Sequence, residues 1–477
     1  MSQKPNILLF LPDGMQSEAI SDSACITPNI DLVKKKGTHF TRAYTPSPIC
    51  SPARSSLMTG MLPHNHGVLQ VEHCVDYDQS VLRSNYIHWA QNLVKNGYRT
   101  GYFGKWHIER SNQLERFGWL KNGSNSNAVI RPGMGDSGES DLISSNLLNN
   151  YQTESDGYNP FLHYAITNVN PNNRTFGKIT HQAIKYLNQL LNQTNHWALC
   201  ISFSEPNEPM ICNSNSYFKT IDKVKLPINI DDPMKGAPSL YRRAQRVYKH
   251  MTKQQWLEAR SCYFGLVSEV DMMLGLLLDR LDSAGQLDNT IIIITSDHGR
   301  YLGAHGMDFH NIGVFEEIMK IPLIISGPDI KQDIELHARV GLHDLCPTIL
   351  ELSNSNKIDF TDGISFAGLF SGNSVDSEFT SGFAENHGSR YPLMQRILWK
   401  DNWKFVFNGF DEDELYDLNK DPYEFENLNS IKKYNGQKVQ LMDSMWSEIK
   451  KSGDRTLLQT HYMPLRLATV GPNNAVI

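Results

Sequence analysis

The sequence predicts an α/β protein: a doubly wound, mostly parallel sheet with a smaller C-terminal α+β subdomain containing an antiparallel sheet. Three observations carry this. Apolar runs at Ile7–Leu11, Trp197–Phe203, Ile291–Thr295 and Pro322–Ser326 read as buried parallel strands, because strands covered on both faces lose the polar alternation. Helical patterns lie between those runs. After about residue 375 the pattern changes to short runs at Arg396–Trp399, Trp403–Phe407 and Glu414-Leu415-Tyr416, which read as an antiparallel meander, with a helix at Gln437–Lys451. The expected division is therefore a catalytic domain over 1–374 and a C-terminal subdomain over 375–477.

The clearest helix runs over Tyr263–Leu281. Its apolar residues Tyr263, Leu266, Val267, Val270, Leu274, Leu277, Leu278 and Leu281 recur at three-and-four spacing, and Gly285 follows as a stop. A shorter helix starts at Thr27-Pro28, a cap and first-turn pair, and ends near Gly37. The stretch Lys121–Asn159, rich in Asn, Ser and Gly, and part of Glu205–Gly236 read as long surface loops over a site. Ligands of open α/β sheets bind beyond the carboxyl ends of the strands. Asp13, Glu205, Asn207, Asp297 and His298 all fall at such ends.

Bulk properties exclude several classes. The chain has 477 residues and a net charge of −6, so no basic field favours nucleic acid or an anionic membrane. An anionic substrate must be caught by local positive groups. No apolar run approaches the roughly 20 residues of a membrane span. Met1–Pro5 leads directly into the first strand without a secretory pattern. A chain complete at Met1 is expected in the cytoplasm, and one trimmed of a signal in the periplasm or outside the cell. The seven cysteines are scattered, odd in number and without a C-x-x-C pair, which argues against a disulfide framework or a zinc site.

Cys50 stands apart from the other six. It opens the segment Cys50-Ser51-Pro52-Ala53-Arg54-Ser55-Ser56-Leu57-Met58-Thr59-Gly60. Pro52 suits the first turn of a helix and Ser51 its cap. Cys50 would then sit at a helix N-terminus, where backbone N–H groups and the helix dipole favour an anion, with Arg54 adding a fixed charge. On local physics alone, a capped helix beside a buried cysteine weighs about the same.

The segment resembles the C-x-P-x-R signature and following Leu-x-Thr-Gly of the formylglycine-dependent sulfatases, members of the alkaline phosphatase superfamily. Tyr44-Thr45-Pro46-Ser47-Pro48-Ile49 before it and Pro63-His64-Asn65-His66-Gly67 after it also resemble that family. So do Asn6–Asp13, Gly104-Lys105-Trp106-His107, Thr295-Ser296-Asp297-His298-Gly299, Phe315-Glu316-Glu317 with Ile321-Pro322-Leu323, and Asp413-Glu414-Leu415-Tyr416-Asp417-Leu418. The resemblance implies an alkaline-phosphatase-like fold and hydrolysis of a sulfate ester on a small molecule or oligosaccharide. It implies that a formylglycine-generating enzyme oxidises Cys50, and that the aldehyde hydrate is the nucleophile. Asp13, Asp297, His298 and an oxygen of the converted Cys50 would hold a divalent cation. Carboxylate-rich ligation points first to Ca2+, with Mg2+ and Mn2+ as alternatives. Arg54 and Lys105 would stabilise the anion, and His107 would take a proton as sulfate is expelled.

Three positions depart from the family pattern. Gly14 stands where a further Asp or Gln is usual, leaving the cation a ligand short unless Gln16 substitutes. Asn207 replaces a sulfate-touching His. His310, with Asn311 beside it, stands where a Lys is expected, and becomes the candidate general acid. Three readings stay open: an active sulfatase with a rearranged acid, a phosphonate monoester or phosphodiester hydrolase, or a degenerate homologue that binds sulfated ligands. His64, His66 and the two long loops are candidates for specificity.

Overall fold

The computed structural model describes residues 4–83, 85–111, 113–124, 147–153, 159–308, 311–371, 377–390 and 392–472. In chain order the strands begin with β1 (Asn6–Asp13), β2 (Gly37–Tyr44), β3 (Arg99–Gly104), β4 (Lys121–Ser124) and β5 (Leu147–Thr153). They continue with β6 (Phe161–Thr167), β7 (Trp197–Pro206), β8 (Met210–Asn213), β9 (Thr290–Thr295) and β10 (Leu323–Ser326). The last are β11 (Ile334–Gly341), β12 (Ser381–Asn386), β13 (Gln395–Lys400), β14 (Trp403–Asn408) and β15 (Glu414–Asp417).

Eight strands form the main sheet in the order β11-β2-β10-β9-β1-β7-β3-β4. Every neighbouring pair is parallel except the two made by β10, which runs antiparallel to both β9 and β2. The Pro322–Ser326 run is thus a buried strand, as expected, but not a parallel one. An apolar run encodes burial on both faces and carries no direction. The main sheet therefore matches the doubly wound, mostly parallel expectation.

Both faces of this sheet are covered. Leu8 and Phe10 of β1 pack with Leu199, Ile201, Ile292 and Ile294 in one core, while Ile7, Leu9 and Leu11 join Ala198, Cys200, Ile291 and Ile293 in the other. Period-two alternation sends successive side chains to opposite cores. The long helix Lys253–Ser283 covers the first face and extends ten residues upstream of the expected start. Its end is as expected: Ala284 caps it and Gly285 takes φ +61°. By length and composition this helix is long and apolar enough to cross a membrane, contrary to the sequence reading, but 83% of its apolar window is buried in the protein core.

The helix α1 (Pro28–Lys35) has Thr27 at the cap position, yet the Thr27 side chain makes no capping bond. The carboxylate of Asp271, on the long helix, accepts from the N–H groups of Asn29 (3.2 Å) and Ile30 (2.7 Å) instead. A cap supplied from another helix leaves no local sequence mark. The expected Lys121–Asn159 loop also changes character. Its described parts are β4, paired with β3, and β5, paired with β6. Part of Glu205–Gly236 is likewise structured, as β8 and the helix Ser214–Thr220.

A separate antiparallel sheet, β12-β13-β14-β15, matches the expected meander and adds a strand at its edge. The helix Asn435–Ser452 packs on it. The expected boundary at 374/375 lies outside the described residues. This sheet is fastened to the segment behind the strand ends through Lys404, which is fully buried. Its Nζ donates to Val314 O (2.6 Å) and Glu316 (3.2 Å) and pairs with Glu424 at 2.7 Å. Glu316 also accepts from Trp399 Nε1 (2.7 Å) and from the Tyr44 hydroxyl of β2 (2.9 Å). Removing one partner of such a group leaves buried charge uncompensated. Lys404→Met should lower the unfolding free energy by about 3–5 kcal/mol in urea denaturation. A loss below about 1 kcal/mol would mean that the pair behaves like a solvated one.

Candidate active site

The helix α2 (Cys50–Thr59) is buried along its whole length, and Cys50 is its first residue. The cap position belongs to Ile49, in extended conformation, with no side-chain capping bond. Ser51 is therefore inside the first turn and does not cap it. Its Oγ accepts from the Glu72 N–H at 3.4 Å. Gly60 ends the helix in the left-handed conformation, φ +73°.

Cys50 meets the carboxyl ends of β1 and β9. Its Sγ lies 3.1 Å from His298 Nε2 and 3.9 Å from Asp13 Oδ1. His298 Nε2 is 3.8 Å from Asp13 Oδ1 and 3.9 Å from Asp297 Oδ1. His298 Nδ1 lies 2.8 Å from the Gly299 carbonyl, a partner that only accepts. The proton is thereby assigned to Nδ1, and the Nε2 lone pair faces Cys50.

The opposite oxygens of the two carboxylates are taken by cations. Arg54 donates Nη2–H to Asp13 Oδ2 (2.9 Å) and Nε–H to Asp297 Oδ2 (2.7 Å), and Lys105 Nζ sits 2.9 Å from Asp13 Oδ2. Arg54 Nη1 further donates to Ser202 Oγ (2.8 Å) and the Lys105 carbonyl (3.0 Å). Burial would raise the pKa of Asp13, but Lys105 and Arg54 more than reverse that and hold it well below the usual carboxylate range. Burial works against the charge of Arg54, and Asp297 and Asp13 overcome it.

Two of the three departures are neighbours. Gly14 has φ +67°, and a Cβ there would lie 3.3 Å from His298 Cε1 and 3.4 Å from Asn207 Oδ1. Asn207, just beyond β7, accepts from Arg300 Nη1 at 2.6 Å. Arg300, which sequence reasoning missed, is buried and also binds Asp308 Oδ2 (3.0 Å) and Glu208. The signal was present in its place one residue after Asp297-His298-Gly299. Gln16 donates Nε2–H to the Arg300 carbonyl (2.8 Å). His310 lies outside the described residues.

His107 follows Lys105 at the end of β3, with φ +53°. Its Nε2 lies 3.0 Å from His73 Nδ1, which is 3.0 Å from Glu72 Oε2. Burial opposes the charge of His73, but hydrogen bonds to Cys74 and Glu72 lift its pKa to about 9. The two histidines that are candidates for specificity both make intramolecular contacts. His66 is fully buried, with Nε2 3.0 Å from Ser56 Oγ, and burial drives its pKa down to about 3. His64 pairs with buried Glu385 and contacts the Ser452 carbonyl (3.1 Å).

The sequence pattern of the sulfatase family matches residues 5–355. The chain belongs to the sulfatase family. A second pattern, N-sulphoglucosamine sulphohydrolase, C-terminal, matches residues 303–451. The choline-sulfatase of Rhizobium meliloti (strain 1021) is 27% identical over 453 residues, covering 89% of this chain and 82% of that protein. A solved protein in complex with its substrate, D-glucosamine-2-N,6-O-disulfate, shares the fold at TM-score 0.75 and 19% identity, over 98% of this chain and 100% of that one. The phosphonate monoester hydrolase of Agrobacterium radiobacter superposes at TM-score 0.77 with 19% identity, over 94% and 96% of the two chains.

The sulfatase family implies a divalent cation and a formylglycine. The donor set fits such a cation: ligand atoms of Asp13, Cys50, Asp297 and His298 lie within 4.8 Å of one another, all buried. The cysteine sulfur stands in for the oxygen that conversion would supply. A divalent cation, with millimolar Ca2+ as the probe, should stabilise the sulfatase by about 2.7 kcal/mol at a hundredfold excess over its Kd, read as a rise in Tm that Asp297→Asn removes. An unchanged Tm would overturn this ligand set.

A pH effect follows from His64. Burial lowers its pKa, but the hydrogen bond and charge of Glu385 lift it to about 9. A raised folded pKa gives stability that is complete below the unfolded value, about 6.5, and lost as pH rises to 9. Urea unfolding of the wild type should weaken between those pH values, and His64→Gln should flatten the fall. Identical slopes would remove His64 from the account.

Proposed function

We propose that this sulfatase hydrolyses the sulfate ester of a sulfated carbohydrate, using a formylglycine made from Cys50 and a divalent cation held by Asp13, Asp297 and His298. The single observation that carries it is the convergence of Cys50 Sγ, His298 Nε2 and the two Oδ1 atoms at the first turn of α2. Sulfate-ester hydrolysis is the activity that the family and the sulfatase relatives support. The sugar class is supported by the C-terminal family pattern and by the substrate of the solved neighbour.

When bound, the cation would polarise the sulfate oxygens and acidify the nucleophilic hydroxyl of the aldehyde hydrate. Arg54 binds Oδ2 of both carboxylates and leaves their Oδ1 atoms toward Cys50. Lys105 holds positive charge beside Asp13, where developing negative charge is stabilised at low dielectric. His298, its Nδ1 proton bound to Gly299, keeps a lone pair toward the residue-50 side chain. His107 takes a proton as sulfate leaves. Asn207 is held by Arg300 through its oxygen, which leaves its amide N–H groups as donors. His310 protonates the leaving alcohol. Ca2+ suits the two carboxylates, and maturation requires a formylglycine-generating enzyme. The phosphonate hydrolase neighbour shares the fold and does not favour a second reaction.

Protein made beside a formylglycine-generating enzyme should carry an aldehyde in place of the thiol in the peptide Ala43–Arg54, read by mass. It should turn over an aryl sulfate faster than a phosphodiester, and Cys50→Ala should lose on the order of a thousandfold or more. An unmodified thiol, with a control sulfatase converted in the same cells, would overturn the nucleophile assignment.

His310→Ala should cost on the order of 10²–10⁴ in kcat on an alkyl sulfate, the range of general acid catalysis. The same variant should cost little on an aryl sulfate, whose leaving group needs no proton. Equal losses on both, or none on either, would remove His310 as the acid.

A further inference from the structure

Beside the proposed catalytic centre lies a second cluster with the geometry of a metal site. His107 Nε2 is 3.0 Å from His73 Nδ1, His73 Nδ1 is 3.0 Å from Glu72 Oε2, and His107 Nε2 is 4.0 Å from Glu72 Oε2. The edge of a tetrahedron around Zn2+, at Zn–N and Zn–O distances near 2.0–2.1 Å, is about 3.3 Å. The three ligand atoms bracket that value. The two rings face each other at 26° with centroids 5.0 Å apart. Side-chain exposures of 28% for His73, 12% for Glu72 and 7% for His107 leave one open direction, at His73, for entry and for a water ligand.

The cluster is held in place independently of any ion. Glu72 and His73 lie in a 3-10 turn, Glu72–Cys74. Arg110 pins that turn by donating to the carbonyls of Glu72, Val75 (2.7 Å) and Asp76 (3.2 Å). The Glu72 N–H donates to Ser51 Oγ, in the first turn of α2. His107 sits in the left-handed conformation two residues after Lys105. One strand end thus sends Lys105 to Asp13 and His107 to Glu72 and His73.

We infer that Glu72, His73 and His107 form a second, inhibitory site for a borderline transition-metal ion of the Zn2+ class, separate from the cation held by Asp13, Asp297 and His298. Two imidazoles and one carboxylate suit Zn2+ and not Ca2+, which takes six to eight oxygens. In the metal-free protein a proton does the ion's work. The Glu72 carboxylate can only accept, so the proton in the cluster is on His73 Nδ1, shared between Glu72 Oε2 and the lone pair of His107 Nε2. Zn2+ binding releases that proton to solvent, and the three lone pairs turn to the ion. Nε2 of His107, which without the ion faces a mobile proton on His73, is then held by the metal and can no longer take one. Binding stands on this geometry alone, whereas inhibition rests on the role proposed above for His107.

The test is calorimetric titration of Zn2+ into the full-length protein kept in millimolar Ca2+, which fills the Asp13 centre, with aryl-sulfate turnover followed in parallel. One Zn2+ per chain is expected, with affinity weakened on the order of tenfold or more in His73→Ala and in Glu72→Gln, and kept in Asp297→Asn. His73 is exposed, so its replacement leaves the core intact. Turnover of the wild type should fall with Zn2+ occupancy, and His73→Ala should resist. Zn2+ binding unaffected by His73→Ala, lost in Asp297→Asn, or absent in the wild type would overturn the site. His73-dependent Zn2+ binding in a protein without sulfatase turnover would uphold the site and count against the proposed function instead.

Discussion

The guanidinium of Arg54 is the constraint on which the rest of the centre depends. It is fully buried, and its three nitrogens reach Asp13, Asp297, Ser202 and the Lys105 carbonyl. Those partners lie at or beside the carboxyl ends of β1, β9 and β3 and within β7, and Arg54 itself sits one turn into α2. One planar fork therefore registers four strands against one helix. A lysine is a point charge and cannot serve both carboxylates and two further acceptors at once. Without Arg54, Asp13 would lose one of the two cations that outweigh its burial. By binding Oδ2 of each carboxylate, Arg54 also leaves Oδ1 of each turned toward Cys50 and His298.

The sheet makes that convergence possible. Asp13 and Asp297 are far apart in the chain, but β1 and β9 are adjacent and parallel, with Phe10 opposite Ile294. Parallel register brings both carboxyl ends to the same edge. Because Leu8 and Phe10 enter one core and Ile7, Leu9 and Leu11 the other, a register slip in β1 would exchange two packed faces. Packing on both sides thus fixes where Asp13 ends up. The C-terminal sheet contributes through Lys404 and Glu316, which brace the segment that follows the second strand end. Cys50 and His298 gain their geometry from elements whose stability lies elsewhere.

Residues carrying chemistry or strong periodicity were legible in the sequence. Cys50, Arg54, Lys105, Asp13, Asp297 and His298 come together as their strand-end and helix-start positions implied, and the long helix follows its three-and-four pattern. What stayed hidden depended on tertiary partners. β2, Gly37–Tyr44, carries Thr, His and Arg, which resemble surface residues until a neighbour is seen. The direction of β10 is absent from its composition. Asp271 caps α1 from another helix. The Arg300–Asn207–Glu208–Asp308 cluster joins residues from two separate loops, so no local pattern announces it. His64 and His66 are candidates for specificity by their place after the Cys50 segment alone. His66 is fully buried against Ser56, and His64, partly exposed, is paired with buried Glu385.

The departures at Gly14 and Asn207 are one rearrangement. The space that a side chain at position 14 would need borders the Asn207 amide and the His298 ring, so the absence of one accommodates the placement of the other. Arg300 then binds the Asn207 oxygen, and Asp308 and Glu208 balance its charge. A decaying site leaves buried charges without partners, at several kcal/mol each. Here the buried charge has two partners. The exchange has an electrostatic consequence. A carboxylate beside Asp13 would add negative charge around the cation, whereas glycine adds none. Cation affinity rises with the number of charged ligands, so a cation in this centre would be held less tightly and would keep more of its positive field for an anionic substrate. The same change that would weaken metal retention would therefore strengthen the attraction for a sulfate ester.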